Sequence, residues 1–539
     1  MASVMSVRRG FLLCALLPVA VFALAESTTS QGSNAREVQD LYGQFADGIK
    51  IGIIGSQNVY LPHEAFDSNN IFNHTTYGLP VDPCWHDTRI AGIIASRGSA
   101  THPDDVGIAP DAEIHSIRIG DVEEALRKLV LTYNCQAIVT GVQWQSSDPN
   151  FENGDSFPSR LYDYYAYEHN ILFANAAGNS MSHISVVGDA YNGITTGGLR
   201  LNDPGNDYVY RQVGSLSNPG PTLDARRKPD IVAPADAQTV PASGSFSAWA
   251  DTERDGGGAT SWAAPHTVAV GALLLGLAEQ TPVLDDDRHE VIKAVIVNSA
   301  FPNIDTKQGA STAGSVFNYQ RGYGRIDALR AYETLMAQRI YPDQASFESK
   351  GWAFDSVAPY QEDNYYIANV GQADRLIVTL CWDRRIELKD RVPKGIISEN
   401  ELTAYNANLD LEIYEPAEPD PIFSETLNGL NPRDNLEKCD LLITVPGEYL
   451  IKIVNRTADE TPSYAIAFEI LEPLVGDFDL NYVVDFKDLD YLLGQWLWSA
   501  PDLPADIWPD NIINLLDLAV FGRHWLDIDQ RYADLTAIP

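Results

Sequence analysis

Apolar and polar positions alternate along this chain in two rhythms. Between about residues 37 and 340, short unbroken apolar runs trade places with amphipathic stretches. "IKIGIIG" (49–55), "AEIHSIRI" (112–119), "CQAIVTGV" (135–142) and "ILFANAAG" (171–178) are mostly apolar, as strands of a buried parallel sheet are. "DTRIAGIIA" (87–95) instead places Ile90, Ile93 and Ile94 at helical spacing, and "DVEEALRKLVLTY" (121–133) reads as a helix between two strands. This rhythm predicts an α/β domain, a parallel sheet with helices on both faces. From about 345 to 472 the helical spacing disappears. "RLIVTLCW", "NLDLEIYE", "EYLIKIV" and "YAIAFEI" are short strands separated by turns such as "VPGEY", which predicts an all-β sandwich. Between about 474 and 530 the chain repeats itself. "FKDLDYLLGQWL" (486–497) matches "LLDLAVFGRHWL" (515–526) at a period of 29, predicting a duplicated loop and helix.

The first residues follow neither rhythm. Arg8 and Arg9 precede an apolar stretch of about 14 residues that ends in Ala23-Leu24-Ala25, a small-x-small pattern. This reads as a secretory signal peptide over residues 1–25, so the mature protein is expected outside the cell or at its surface. No other run reaches the roughly 20 apolar residues of a membrane span. The domains are then 26–340, 345–472 and 474–530. Lys and Arg number 37 against 74 Asp and Glu, a net charge of −37, which argues against nucleic acid or an anionic membrane as partner. Cys84, Cys135, Cys381 and Cys439 remain in the mature chain. Export makes disulfides plausible, with Cys84–Cys135 and Cys381–Cys439 each lying within one domain, and none has metal-ligand spacing.

Candidate chemistry centres on "GGGATSWAAPH" (256–266). Ser261 opens a small-residue helix, whose first N–H groups and partial positive charge suit an oxyanion. Together with "HDTRIAG" (86–92), "GIAPDAEI" (107–114), "NPGPTLDARRKPDIVAP" (218–234) and "GYGRIDALRA" (322–331), this segment resembles the subtilisin-like serine peptidases, the subtilase family. The resemblance covers roughly 300 residues. It implies a serine endopeptidase in which Ser261 is the nucleophile, His86 the general base and Asn179, in "NAAGN", the oxyanion donor, with a peptide or protein as substrate.

The departures from the family pattern are specific. The aspartate that would follow the first strand falls on Gly55, and Gln57 replaces a glycine. Asp87 stands where the family has glycine after the histidine, and Arg89 replaces a second histidine. Ala259 replaces a glycine and Trp262 a methionine, while Gly141 and Gln143 depart from the strand that pairs with substrate. Gly55 has no side chain to orient His86, so impaired activity is expected, with a catalytically inactive, peptide-binding pseudopeptidase as the alternative. Asn58, Glu64 and Asp67 follow the strand. Asp87 directly follows His86, from where turning back to the ring would need an unusual backbone. Gly55→Asp is therefore expected to raise activity at least tenfold, within the roughly 10⁴ scale of a lost triad aspartate.

In "DFDLNYVVDFKD" (477–488), Asp477, Asp479, Asn481, Asp485 and Asp488 occupy positions 1, 3, 5, 9 and 12, with the Val483 carbonyl at 7. That spacing wraps oxygen ligands around Ca²⁺. "DIWPDNIINLLD" (506–517) repeats it with Asp506, Asp510, Asn514 and Asp517 and the Ile512 carbonyl. Tyr482 and Asn511 replace the sharp-turn glycine, and Trp508 takes a ligand position, so the second site is expected to be weaker. The pair resembles a type I dockerin, which implies structural Ca²⁺ and a cohesin-bearing or cell-surface scaffold protein as partner. The strands before it resemble the jelly-roll domains that follow some secreted subtilases.

Overall fold

The computed structural model is described for residues 24–67, 69–142, 152–202, 209–252, 257–310, 312, 315–389, 396–424, 433–501 and 503–533. The apolar runs of the first rhythm become one eight-stranded sheet. Its strands are β1 (Lys50–Gly55), β2 (Ile71–Thr75), β3 (Glu113–Arg118), β4 (Ala137–Thr140), β5 (Leu172–Ala176), β6 (Ile194–Asn202), β7 (Val209–Val213) and β8 (Ile231–Pro234). The order is β2-β3-β1-β4-β5-β6-β7, with β8 also on β6. All pairings are parallel except β6 with β7.

β1 shows why the central strands carry no polar alternation. Ile51 and Ile53 enter one core, with Ile90, Ile94 and Val268 from the helices Trp85–Ala95 and Thr260–Ala278. Ile54 enters the opposite core, with Leu161, Tyr162 and Tyr165 from the helix Phe157–His169. Helices therefore cover both faces, as the rhythm predicts. The 19-residue helix Thr260–Ala278 is long and apolar enough to cross a membrane, yet its whole length is buried in the fold.

The second rhythm forms two further sheets. One runs Ala345–Ser346, Glu362–Val370, Gly447–Asn455, Leu409–Tyr414, Phe423–Ser424; the other runs Lys350–Ser356, Ser463–Leu471, Arg375–Trp382, Leu436–Leu442. Tyr365, Leu411 and Ile451 of the first share a core with Val378, Ile466 and Phe468 of the second. This region is bound closely to the first domain. Buried Arg384 pairs with Asp163 at 2.7 Å, Arg227 with Asp434 at 2.8 Å, and Lys438 Nζ donates to the Val297 and Asn298 carbonyls.

The disulfide expectation is corrected. Cys84, Cys135, Cys381 and Cys439 are all buried, and no disulfide joins them. Cys381 and Cys439 do lie on neighbouring strands, but the register sets Cys439 opposite Val378 and Cys381 opposite Leu436. Cys381 Sγ donates instead to the Glu290 carbonyl at 3.0 Å.

The repeat folds as two helices, Phe486–Gly494 and Leu515–Phe521, around Val484, Leu492, Ile513 and Phe521. It is tied down by Arg375 Nη1, which donates to the Tyr482 hydroxyl at 2.6 Å, and by Asn303 Nδ2, which donates to the Gln530 and Ala533 carbonyls.

Candidate active site

The carboxyl ends of β1, β4 and β5 converge, which is where parallel sheets place their sites. β1 ends at Gly55, Gly141 directly follows β4, and Asn179 lies just beyond β5. His86 is the second residue of the helix Trp85–Ala95, whose cap is Cys84: its Sγ accepts from the Asp87 N–H at 3.4 Å. The imidazole is about one-fifth exposed, and Asp87 is wholly buried beside it. His86 Nδ1 lies 3.1 Å from Asp87 Oδ1, while Asp87 Oδ2 accepts the Gln57 N–H at 2.9 Å.

Two sequence expectations change here. Asp87 does reach the ring without an unusual backbone, because the first helical turn aims it at the end of β1. Gly55 leaves the space it fills. A Cβ on Gly55 would lie 2.7 Å from Asp87 Oδ1, 2.5 Å from its Cγ and closer still to Oδ2. The expected gain from Gly55→Asp is therefore overturned, since a second carboxylate has no room. The other candidates are engaged elsewhere. Asn58 donates to the His74 carbonyl, Glu64 accepts from Trp249 Nε1, and Asp67 accepts the Asn69 N–H.

The remaining departures fit around the ring. A Cβ on Gly141 would come within 3.3 Å of His86 Cε1. The Trp262 ring centroid is 4.9 Å from that of His86. The Arg89 guanidinium lies over Trp85 at 4.9 Å and Trp262 at 5.7 Å, so two of the substitutions form one cation–π group. Gln143 lies outside the described residues.

Ser261 is the second residue of its helix and 8% exposed. Ala259 gives that helix no side-chain cap; Asn179 does so in its place. Its Oδ1 accepts the Thr260 N–H at 2.8 Å and the Thr260 hydroxyl at 3.0 Å. With the amide oxygen held by Thr260, Nδ2 is left as the donor. His266, fully buried in the same helix, is pushed down to about 3 by burial and is a neutral packing residue. Beside His86 opens a cleft of about 630 Å³ lined by Ser56, Gln57, Trp85, Ile119 and Gly141.

The two acidic loops also close on themselves. Asp477, Asp479 and Asp488 bring carboxylate oxygens within 4.8 Å of one another, as do Asp506, Asp510 and Asp517. Burial, with Asp488 and Asp479 nearby, pushes Asp477 up to about 6. A donor set of three converging carboxylates suits a hard divalent cation. Asp485 and Asn514 are turned to cap the helices, accepting the Lys487 and Leu516 N–H groups at 2.7 and 2.8 Å. In the second loop Asn514 Nδ2 also donates to the Ile512 carbonyl at 2.8 Å, occupying a predicted ligand atom. Asn481 Oδ1 accepts the Val483 N–H. Tyr482 and Asn511 carry the positive φ, 69° and 62°, that the glycine would have adopted.

Residues 47–324 match the sequence model of the Subtilase family. The dibasic-processing endoprotease of Yarrowia lipolytica is 25% identical over 387 residues, covering 66% of this chain. The chain spans 37% of that relative's length. Among solved structures, the CspB protease of Clostridium perfringens matches over 58% of this chain and 100% of its own, with 14% identity and a TM-score of 0.48. The patellamide maturation protease PatA matches over 54% of this chain and 97% of its own, with 19% identity and a TM-score of 0.41.

Proposed function

The chain belongs to the subtilase family, and from that premise we propose that it is a secreted serine endopeptidase acting on peptide or protein substrates. Ser261 Oγ attacks the scissile carbonyl as His86 Nε2 takes its proton. The negative charge that develops on the carbonyl oxygen meets Asn179 Nδ2 and the N–H groups of the helix start. His86 then returns the proton to the leaving amine, and a water repeats the sequence to release the acyl group. The observation that carries this reading is the clasp between Thr260 and Asn179, which fixes an amide donor beside the nucleophile.

One observation favours a second reading, the inactive peptide-binding form: no hydrogen bond joins Ser261 Oγ to His86 among the described residues. Catalytic hydrogen bonds are often long in free enzymes, so activity remains the leading reading. A fluorophosphonate probe decides between them. Labelling of the wild type and none of Ser261→Ala supports the peptidase; an unlabelled wild type supports the binding module.

The two C-terminal sheets are read as a jelly-roll domain, and the repeat as a dockerin-like module. Asp477, Asp479 and Asp488, and more weakly Asp506, Asp510 and Asp517, would hold Ca²⁺, which when bound supplies the positive charge these carboxylates lack. A cohesin-bearing or cell-surface scaffold protein is the proposed partner.

A further inference from the structure

The geometry assigns to Asp87 the part of the missing aspartate: the family's aspartate and glycine have exchanged places, and Asp87 is the positioning residue that holds His86 for catalysis. The family pattern is aspartate at the end of the first strand and glycine after the histidine. This chain has Gly55 and Asp87 at those positions. Either substitution alone would break the site. The strand glycine alone leaves His86 without a carboxylate, and the helix aspartate alone would be forced against a strand aspartate.

Three observations support the exchange independently. First, the Asp87 carboxylate fills the space into which a side chain on Gly55 would project, to the point of overlap. The group is supplied to the same place from the other wall. Second, its two oxygens are divided as an orienting carboxylate requires: Oδ1 faces His86 Nδ1 at 3.1 Å, and Oδ2 is fixed by the Gln57 N–H at 2.9 Å. Third, Asp87 is wholly buried, while the ring it holds stays about one-fifth exposed at the cleft. With Nδ1 donating to Asp87, the lone pair of Nε2 is left to receive the serine proton, and the imidazolium formed in that step has an anion against it.

The exchange also accounts for the neighbouring residues. Gln57, whose N–H holds Asp87 Oδ2, is itself held through its side chain, Nε2 donating to Asp82 Oδ2 at 2.7 Å. Cys84 caps the helix through the N–H of Asp87 itself, which pins the backbone that aims the carboxylate. Gly141 leaves room for the ring on its other side.

This assignment rests on the peptidase reading, and four proteins test both: the wild type, Asp87→Asn, Gly55→Asp, and Gly55→Asp with Asp87→Gly. Each is followed by its rate of fluorophosphonate labelling at Ser261, by kcat and KM on a peptide p-nitroanilide cleaved by the wild type, and by its melting temperature. Asp87→Asn is expected to lower kcat by about 10³–10⁴, with KM within about threefold and the melting temperature unchanged. Loss of packing alone would not split the constants in that way. Gly55→Asp is expected to lose activity. The double variant, which restores the family arrangement, is expected to return to within about tenfold of the wild type. An unlabelled wild type overturns the peptidase reading and the assignment with it. A labelled wild type together with an equally labelled Asp87→Asn overturns the assignment alone. A double variant that folds and is no faster than Asp87→Asn also overturns it.

Discussion

At the scale of single residues, the site depends on who holds whom. Asn179 is held by Thr260, and the hold is two-fold, through the Thr260 N–H and its hydroxyl. Thr260 Oγ1 is in turn fixed by the Gly178 N–H at 3.1 Å. Asn179→Ala removes the donor and is expected to lower kcat by about 10²–10³ with little change in KM, the cost of one oxyanion donor. Thr260→Val keeps the shape and the N–H but drops the hydroxyl, so its loss should be smaller, and steady-state kinetics on one substrate ranks the two. The motifs single out Ser261, His86 and Asn179, and the fold sets Asn179 against Thr260 and His86 against Trp262, the two neighbours of Ser261 in the chain. Asp87 was not legible in the sequence. Successive residues on a helix ordinarily point apart, and nothing in periodicity says that one of them will meet a cavity left by a glycine on a distant strand. The signal available was the reciprocity itself, an aspartate gained at 87 where one was lost at 55.

At the scale of elements, hydrophobic pattern was a sound guide where it repeated. The four apolar runs are β1, β3, β4 and β5, each within two residues of its predicted ends. The 29-residue repeat became two matching helices with matching capping boxes. The Cys381–Cys439 pairing failed because it depends on strand register, which spacing along the chain does not reveal. The loop carboxylates are a case where pattern and geometry agree only in part, since Asp485 and Asn514 serve as caps. For the full-length protein, calorimetric titration with Ca²⁺ is expected to show a tighter and a weaker site. Asp488→Ala should abolish the tighter one, because it removes a wholly buried carboxylate whose oxygens also organise the Phe478, Asp479 and Asp485 N–H groups. Asn514→Ala should affect only the weaker. Heat that does not change with Ca²⁺ would leave the repeat a plain helical pair.

At the scale of the whole molecule, polar groups buried between the first domain and the sheets behind it hold the two together. His289 is one of them. Its Nε2 lies 2.9 Å from Asp383 Oδ2 across the boundary, and its Nδ1 lies 3.0 Å from Asn170 Oδ1 and 3.2 Å from Glu290 Oε2. Arg288 shares Glu290 at 2.9 Å, and Lys293 donates to the Tyr191 carbonyl nearby. Burial opposes a charge on this ring, but Asp383 and Glu290 outweigh it and raise His289 above its ordinary value. A raised folded-state value means stability that is complete below the unfolded value of about 6.5 and lost as pH rises through the folded one. The melting temperature of the wild type should therefore fall on the alkaline side of pH ~6.5, and His289→Gln should lack that fall while being less stable at lower pH. Parallel curves for the two proteins would show that His289 carries no charge in the fold.

On this assignment Asp87 holds His86 in the orientation and tautomer that a peptidase needs. The side-chain nitrogen spectrum of His86, read by NMR in the resting protein with histidine labelled, tests it most directly. A neutral ring protonated at Nδ1, with that proton shifted far downfield by a carboxylate and returned to an ordinary position in Asp87→Asn, is the predicted result. A ring protonated at Nε2, or one whose spectrum is the same in Asp87→Asn, would mean that Asp87 does not orient it.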